Sequence, residues 1–349
     1  MENTKPAKKR DNTLTFIQVV CAFAVITLHT NGAFWNFSAT ERYWVTANII
    51  ESVCFFAVPI FFMISGITLM NYQDKNSTKE YFIKRITKTL IPYIIWSIIG
   101  VAYLHLMDYQ GAEMDLRWFI YGLLNGKIIS IYWFFPPLFC IYLSMPMFAA
   151  IDKEKKEWVL KYLLAVGILV NTMAPFIISV IGENTLWPYN VSVVTGYLIW
   201  VVVGYVLYKY PPKLKTKCAI YTMAVVGLLL HICGTYILSM RDGQINSTYK
   251  GYNNLPSFMY SVGVFLFLTD IGKRLMQINI IEKVICYIGK YTFAIYLMHW
   301  FVMNFITVKF EINTLSIWWR LGAPIPIGLI VIAITWLIRK IPIVRNIVP

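Results

Sequence analysis

Four histidines, His29, His105, His231 and His299, are the side chains of this sequence whose ordinary pKa lies near neutrality, so acid–base chemistry is sought there first. His29 is followed by Thr30, Asn31 and Gly32, a polar run able to line a pocket inside an apolar stretch. His231 sits in LLLHICG, with only Thr235 for polar company, and reads as a histidine bonded to a neighbouring helix backbone. Glu51 stands near the outer end of an apolar segment, where it either reaches the interface or serves a site. A second kind of chemistry is offered by KNSTKEYFIKRITKTLIPY at 75–93. Ser77 followed three residues later by Glu80 predicts a capping box and a helix start. Lys84, Arg85 and Lys88 then fall together on that helix, with Arg85 and Lys88 three apart on one face. Such a group holds phosphates by charge and hydrogen bonding, or anchors lipid headgroups.

The elements that must position these groups are membrane helices. Of 349 residues, 58% are hydrophobic, 16% aromatic and only 14% charged. Apolar runs of about 20 residues, each long enough to cross a bilayer as a helix, recur along the chain. They predict an all-α integral membrane protein of ten spans near 14–35, 47–71, 90–107, 128–150, 158–181, 190–208, 218–240, 254–271, 285–307 and 315–338. Ser65 and Gly66 in the second run permit close helix approach. With both termini cytoplasmic, 24 of the 31 Lys and Arg residues fall on the inner side. The exceptions are Arg42, Arg117, Lys127, Arg241, Lys250, Lys309 and Arg320. The net charge of +14 is then a matter of topology and of anionic inner-leaflet lipid, and is no argument for nucleic acid. In this orientation His29 lies roughly 22 Å from the cytoplasmic end of the first span, and His105, His231 and His299 also fall in outer halves.

Residues 1–349 read as one polytopic domain behind a basic tail at 1–13, with short loops and no cleavable signal peptide. Cys21, Cys54, Cys140, Cys218, Cys233 and Cys286 show no metal-ligand spacing and read as small buried hydrophobes. No metal site is expected, and no Walker, GxGxxG or GxSxG element occurs. Trp35, Trp44, Trp118, Trp187 and Trp319 are expected as interfacial anchors near outer span ends. Some of the outer rings, with Tyr132 and Trp133, are able to stack on sugars.

The ordered segments LTFIQVVCAFAVITLHT at 14–30, AVPIFFMISG at 57–66, FIKRITKTLIPY at 82–93, WFFPPLFCIYLSMP at 133–146 and YIGKYTFAIYLMHW at 287–300 resemble the acyltransferase type 3 family. These are polytopic membrane enzymes, many of which O-acylate surface polysaccharides. The resemblance implies transfer of an acyl group, acetyl above all, from cytoplasmic acyl-CoA to a hydroxyl of an exported glycan or glycan precursor. His29 matches the family's first-span histidine, and Arg85 with Lys88 its basic RxxR motif, with Lys84 beside them as a grip for CoA phosphates. His299 matches the histidine of YLxH. His29 is then a general base on the acceptor hydroxyl or a transient acyl carrier, and Asn31 and Glu51 join it as site residues. The chain departs from the family at Gln18 and Thr15, where members often carry Arg and Asp, and at Lys88, which lacks the planar fork of Arg. Two other readings stand beside it: a translocator or export component for a glycan or small metabolite that uses the same cavity without acyl chemistry, and a catalytically silent membrane partner that only organises a synthesis complex. Acyl-CoA, a glycan and membrane lipid are the expected partners, in a bacterial cell membrane.

Overall fold

The computed structural model describes residues 12–107, 115–182, 191–342, 344, 347 and 348, and all elements among them are helical. Trp187, most of the basic tail and Arg345 lie outside the described residues. Helix α1 spans Asn12–Thr30, followed by a 3-10 turn over Gly32–Trp35. α2 (Arg42–Cys54) and α3 (Ala57–Leu69) make one crossing, jointed at Phe55 and Phe56. α4 (Thr78–Arg85) passes through a π-helical segment, Ile86–Leu90, into α5 (Ile91–Leu106). α6 (Leu116–Asn125) and α7 (Phe135–Ala149) come next. α8 (Lys153–Gly167) and α9 (Ala174–Ile181) are joined through Ile168–Met173, and α10 covers Leu198–Lys209. α11 (Leu214–Leu229) and α12 (Thr235–Asp242) enclose a π-helical segment at Leu230–Gly234. α13 (Leu255–Leu275), α14 (Asn279–Ile288), α15 (Thr292–Lys309), α16 (Ile317–Gly322) and α17 (Pro324–Arg339) complete the chain.

Among the described residues seven helical stretches are long and apolar enough to cross a membrane, and an eighth if α14 and α15, bent by 60°, count as one. The protein is multi-pass. Two of the ten expected spans are shorter apolar helices, α10 and α17. α17 is short because the crossing breaks at Ala323: Pro324 has no N–H to continue the ladder of α16. The bend at α14–α15 falls at Gly289, where a Cβ would stand 2.3 Å from Thr15 Cγ2, so α1 lies in the corner itself. The capping box is present, Ser77 Oγ accepting from the Glu80 amide and the Glu80 carboxylate from that of Ser77.

α1 is the central post. Ile17, Cys21, Val25 and Ile26 are buried along it, and it packs on α3, α13, α15 and α17. A close approach of two backbones lies elsewhere, between α3 and α10. A Cβ on Gly66 would sit 2.1 Å from the Val201 carbonyl oxygen, and one on Gly204 2.4 Å from Met63 Cβ. Small residues let these two backbones touch, which is how helices associate where lipid offers no hydrophobic drive. Gly66→Ala is therefore expected to destabilise the detergent-solubilised protein by about 1–3 kcal/mol through overpacking. An unchanged thermal midpoint would show that α3 can move away from α10 without cost.

Two expectations are corrected here. Trp44 is no interfacial anchor: it is fully buried, its indole N–H donating to the Phe34 carbonyl at 3.0 Å. Of the cysteines only Cys21 is buried, whereas Cys140, Cys218 and Cys233 face outward from the helices.

Candidate active site

His29 occupies the last turn of α1, where the helix gives way to the polar turn at Asn31. Its ring centroid lies 5.1 Å from that of His299 on α15, the planes tilted by 38°. His299 is fully buried, with Nδ1 2.8 Å from the Ile295 carbonyl oxygen. A carbonyl only accepts, so Nδ1 carries the proton and Nε2, which has no partner among the described residues, is a lone pair. The pair thus consists of one half-buried imidazole and one buried imidazole of fixed tautomer.

His29 opens on a cavity of about 420 Å³, walled also by Glu51, Trp133, Lys250, Tyr252 and Tyr296. Glu51 does not reach an interface. It is 4% exposed, and its Oε2 accepts from Asn31 Nδ2 at 3.3 Å. The same amide nitrogen donates to the Ala47 carbonyl at 2.9 Å, and Asn31 Oδ1 accepts from Arg320 at 3.4 Å. Asn31 therefore stands behind Glu51, with both ends of its amide engaged, and orients the carboxylate. Arg320 of α16 also donates to the Tyr43 carbonyl at 3.2 Å and to Thr46 Oγ1 at 2.9 Å, tying α16 to α2 and to the end of α1. Lys250 enters the cavity from the loop before α13, its Nζ 4.1 Å from the Phe34 ring centroid and without a hydrogen bond among the described residues. Burial holds its pKa below the ordinary lysine value, an effect that the Glu51 carboxylate opposes.

A second cavity, about 340 Å³, is bordered by Gln18, Ser65, Arg85, Lys88, Phe134 and Tyr296. Phe134 and Tyr296 belong to the walls of both cavities, so two aromatic rings divide the His29 space from the Arg85 space. A third cavity, about 510 Å³, lies among Asp74, Lys75, Lys84, Arg85, Tyr205 and Lys209, and Arg85 is common to it and the second. The Arg85 guanidinium stacks over Tyr81 and Tyr142, at 5.8 and 5.4 Å, and its buried Nε has no partner. A guanidinium bordering two cavities is a ready anion site.

The structure brings His29 and Glu51 into one cavity, sets His299 and Asn31 behind them, and places Arg85 and Lys88 in the next. Lys84 borders only the third and donates to Asn76 Oδ1. His105 is exposed in a separate groove with Asp115 and Phe119. His231 is fully buried 4.8 Å from Phe55, and neither ring nitrogen has a partner, so it is not bonded to a neighbouring backbone as the sequence suggested. Gln18, standing where relatives in the resembled family often carry Arg, borders the second cavity opposite Arg85 and Lys88, which supply the positive charge there. Reasoning from the sequence missed Lys250 and Arg320 as site residues. Both were among the seven basic residues left on the outer side, and that violation was the available signal.

A family model described as an acyltransferase domain matches residues 11–340, nearly the whole chain. No curated protein and no solved structure matches the chain.

Proposed function

Because the chain belongs to the acyltransferase type 3 family and is a multi-pass membrane acyltransferase, we propose that it carries an acetyl group from cytoplasmic acetyl-CoA to a hydroxyl of an exported cell-surface glycan. The supporting observation is the succession of cavities: a basic one at Lys84 and Arg85, a middle one at Arg85, Lys88 and Gln18, and the His29 cavity beyond Phe134 and Tyr296. In this reading Arg85, Lys88 and Lys84 hold the CoA phosphates at the cytoplasmic side of a bacterial cell membrane. The pantetheine arm runs through the middle cavity, and the thioester meets the acceptor between Tyr296 and His29. Gln18 and His29 lie on one helix, eleven residues or about 16 Å apart, which sets the span that the arm covers.

The chemistry follows from the ring pair. His29 takes the proton of the acceptor hydroxyl as its oxygen attacks the thioester carbonyl. The C–O bond forms, the C–S bond breaks, and the proton on His29 passes to the departing thiolate. His299, its proton committed to Ile295, meets the imidazolium as a neutral ring with a lone pair, so the ring beside His29 adds no positive charge of its own.

The test is acetyl transfer by the detergent-purified protein with acetyl-CoA and a panel of extracted surface glycans. Arg85→Ala is expected to raise the KM for acetyl-CoA about 10- to 100-fold, the worth of a charge-assisted phosphate contact, with kcat little changed. An unaltered KM would remove CoA from Arg85. Movement of unmodified glycan across proteoliposomes, with no acetyl-CoA consumed by folded wild type, would replace the enzyme reading by a translocator.

A further inference from the structure

Lys250 and Arg320 are 6% and 1% exposed, and neither forms an ion pair among the described residues. The partners of Arg320 are all neutral, Asn31, Tyr43 and Thr46, and the Lys250 ammonium rests on the faces of Phe34 and Phe55. Against these two cations the cluster holds one carboxylate, Glu51, which Asn31 keeps turned to its own side. Lys250 and Glu51 stand on the cavity wall and Arg320 behind it, so the cluster holds one more buried cation than carboxylate, and an unpaired charge taken out of water is costly. Of the two cations only Lys250 faces the cavity, with Nζ unbonded and Ser247 and Gly251 beside it on the same loop. Next to it, Trp133 stacks on Tyr252 at 5.4 Å and Tyr252 on Phe55 at 4.3 Å, a row of aromatic rings along the cavity wall that offers a sugar apolar contact.

Building on the acceptor reading above, we propose that the His29 cavity selects a glycan bearing an anionic substituent, a carboxylate or a phosphate, which the Lys250 ammonium binds while the sugar lies on the Trp133–Tyr252 wall. A neutral sugar leaves Lys250 desolvated and unpaired. An anionic one supplies its missing partner through a charge-assisted hydrogen bond. The acyl donor's phosphates are already provided for at Arg85, on the far side of Phe134 and Tyr296.

The experiment measures binding of a glucuronate disaccharide, a sugar monophosphate and the matched neutral disaccharide to the full chain in detergent, without acyl-CoA. Wild type is expected to bind at least one charged probe about tenfold or more tighter than the neutral one. The tighter of the two names the substituent. Lys250→Met should abolish the preference, Lys250→Arg should retain it in a fold that accepts a cation there, and Glu51→Gln should strengthen it. Equal affinity for charged and neutral probes, or a preference that survives Lys250→Met, overturns the inference. So does a Lys250→Met variant that loses kcat with acceptor KM unchanged, since Lys250 would then act at the reacting atoms. His29-dependent acetyl-CoA turnover in the same preparation judges the transfer reading separately, because the binding preference is read in its absence.

Discussion

Replacing His29 by alanine is expected to lower acetyl transfer by about two to four orders of magnitude while leaving acetyl-CoA affinity within about twofold. On the proposed mechanism the loss is that of a general base, and it falls on kcat because that mechanism holds the donor at Arg85, across the Phe134 and Tyr296 partition. His29 lies in the last turn of α1, half-buried at the cavity edge, so its removal empties space that is already partly open. His299 gives the contrasting case. It is fully buried and held by Ile295, and His299→Gln should lower the rate less than His29→Ala, because it removes the neighbour of the base and leaves the base in place. Transfer rates with a binding assay for acetyl-CoA, on variants whose thermal unfolding matches wild type, separate these effects. A folded His29→Ala protein that transfers acetyl at the wild-type rate would move the reaction centre out of this cavity.

The division between Arg85 and His29 also explains how much of the site could be read in advance. The His29 run, the basic helix and the capping box are local patterns written in neighbouring residues: the capping box recurs where its spacing puts it, whereas of the polar run only His29 borders the cavity and Lys88 falls in the π-helical segment after α4. The small-residue contact is half local. Gly66 announces that something approaches closely, but only the fold shows that it is the Val201 carbonyl of α10. Lys250 was hidden for a different reason. A lysine in a loop between apolar runs has water as its ordinary surroundings, and nothing adjacent to it shows that the loop turns inward over Phe34 and Phe55. The span count was blurred by breaks inside crossings, at Ala323 and at Gly289, because apolar composition does not distinguish a straight helix from two short ones meeting at an angle. Phe134 and Tyr296 are aromatic residues among many, and their place in the walls of two cavities arises only when the turn before α7 packs against α15.

Arg320→Met carries the largest expected cost in stability. One guanidinium joins three pieces of chain: the turn after α1 through Asn31, α2 through Tyr43 and Thr46, and α16 itself. The α16 backbone adds a bond in return, since the Arg320 carbonyl accepts from Thr30 Oγ1 at 3.0 Å. Methionine fills much of the volume but takes the Arg320 donor from the buried Asn31 Oδ1, at about 1–3 kcal/mol, and removes one contact each from the Tyr43 carbonyl and Thr46 Oγ1, which still bond each other, at about 0.5–1.5 kcal/mol apiece. A loss of about 3 kcal/mol or more is expected, read as a lowered thermal midpoint in detergent. The functional effect follows from the same contacts. Without Arg320, Asn31 is free to turn its amide, Glu51 loses its fixed donor, and the Lys250–Glu51 balance across the cavity changes. Acceptor KM should therefore rise in any Arg320→Met protein that survives purification, while acetyl-CoA KM, set beyond the aromatic partition, stays near wild type. Arg320→Lys, which keeps the charge and loses the fork, should fall between the two in stability. A Met variant as stable as wild type, with both KM values unchanged, would show that Arg320 neither holds α16 to α1 and α2 nor sets the acceptor side of the site.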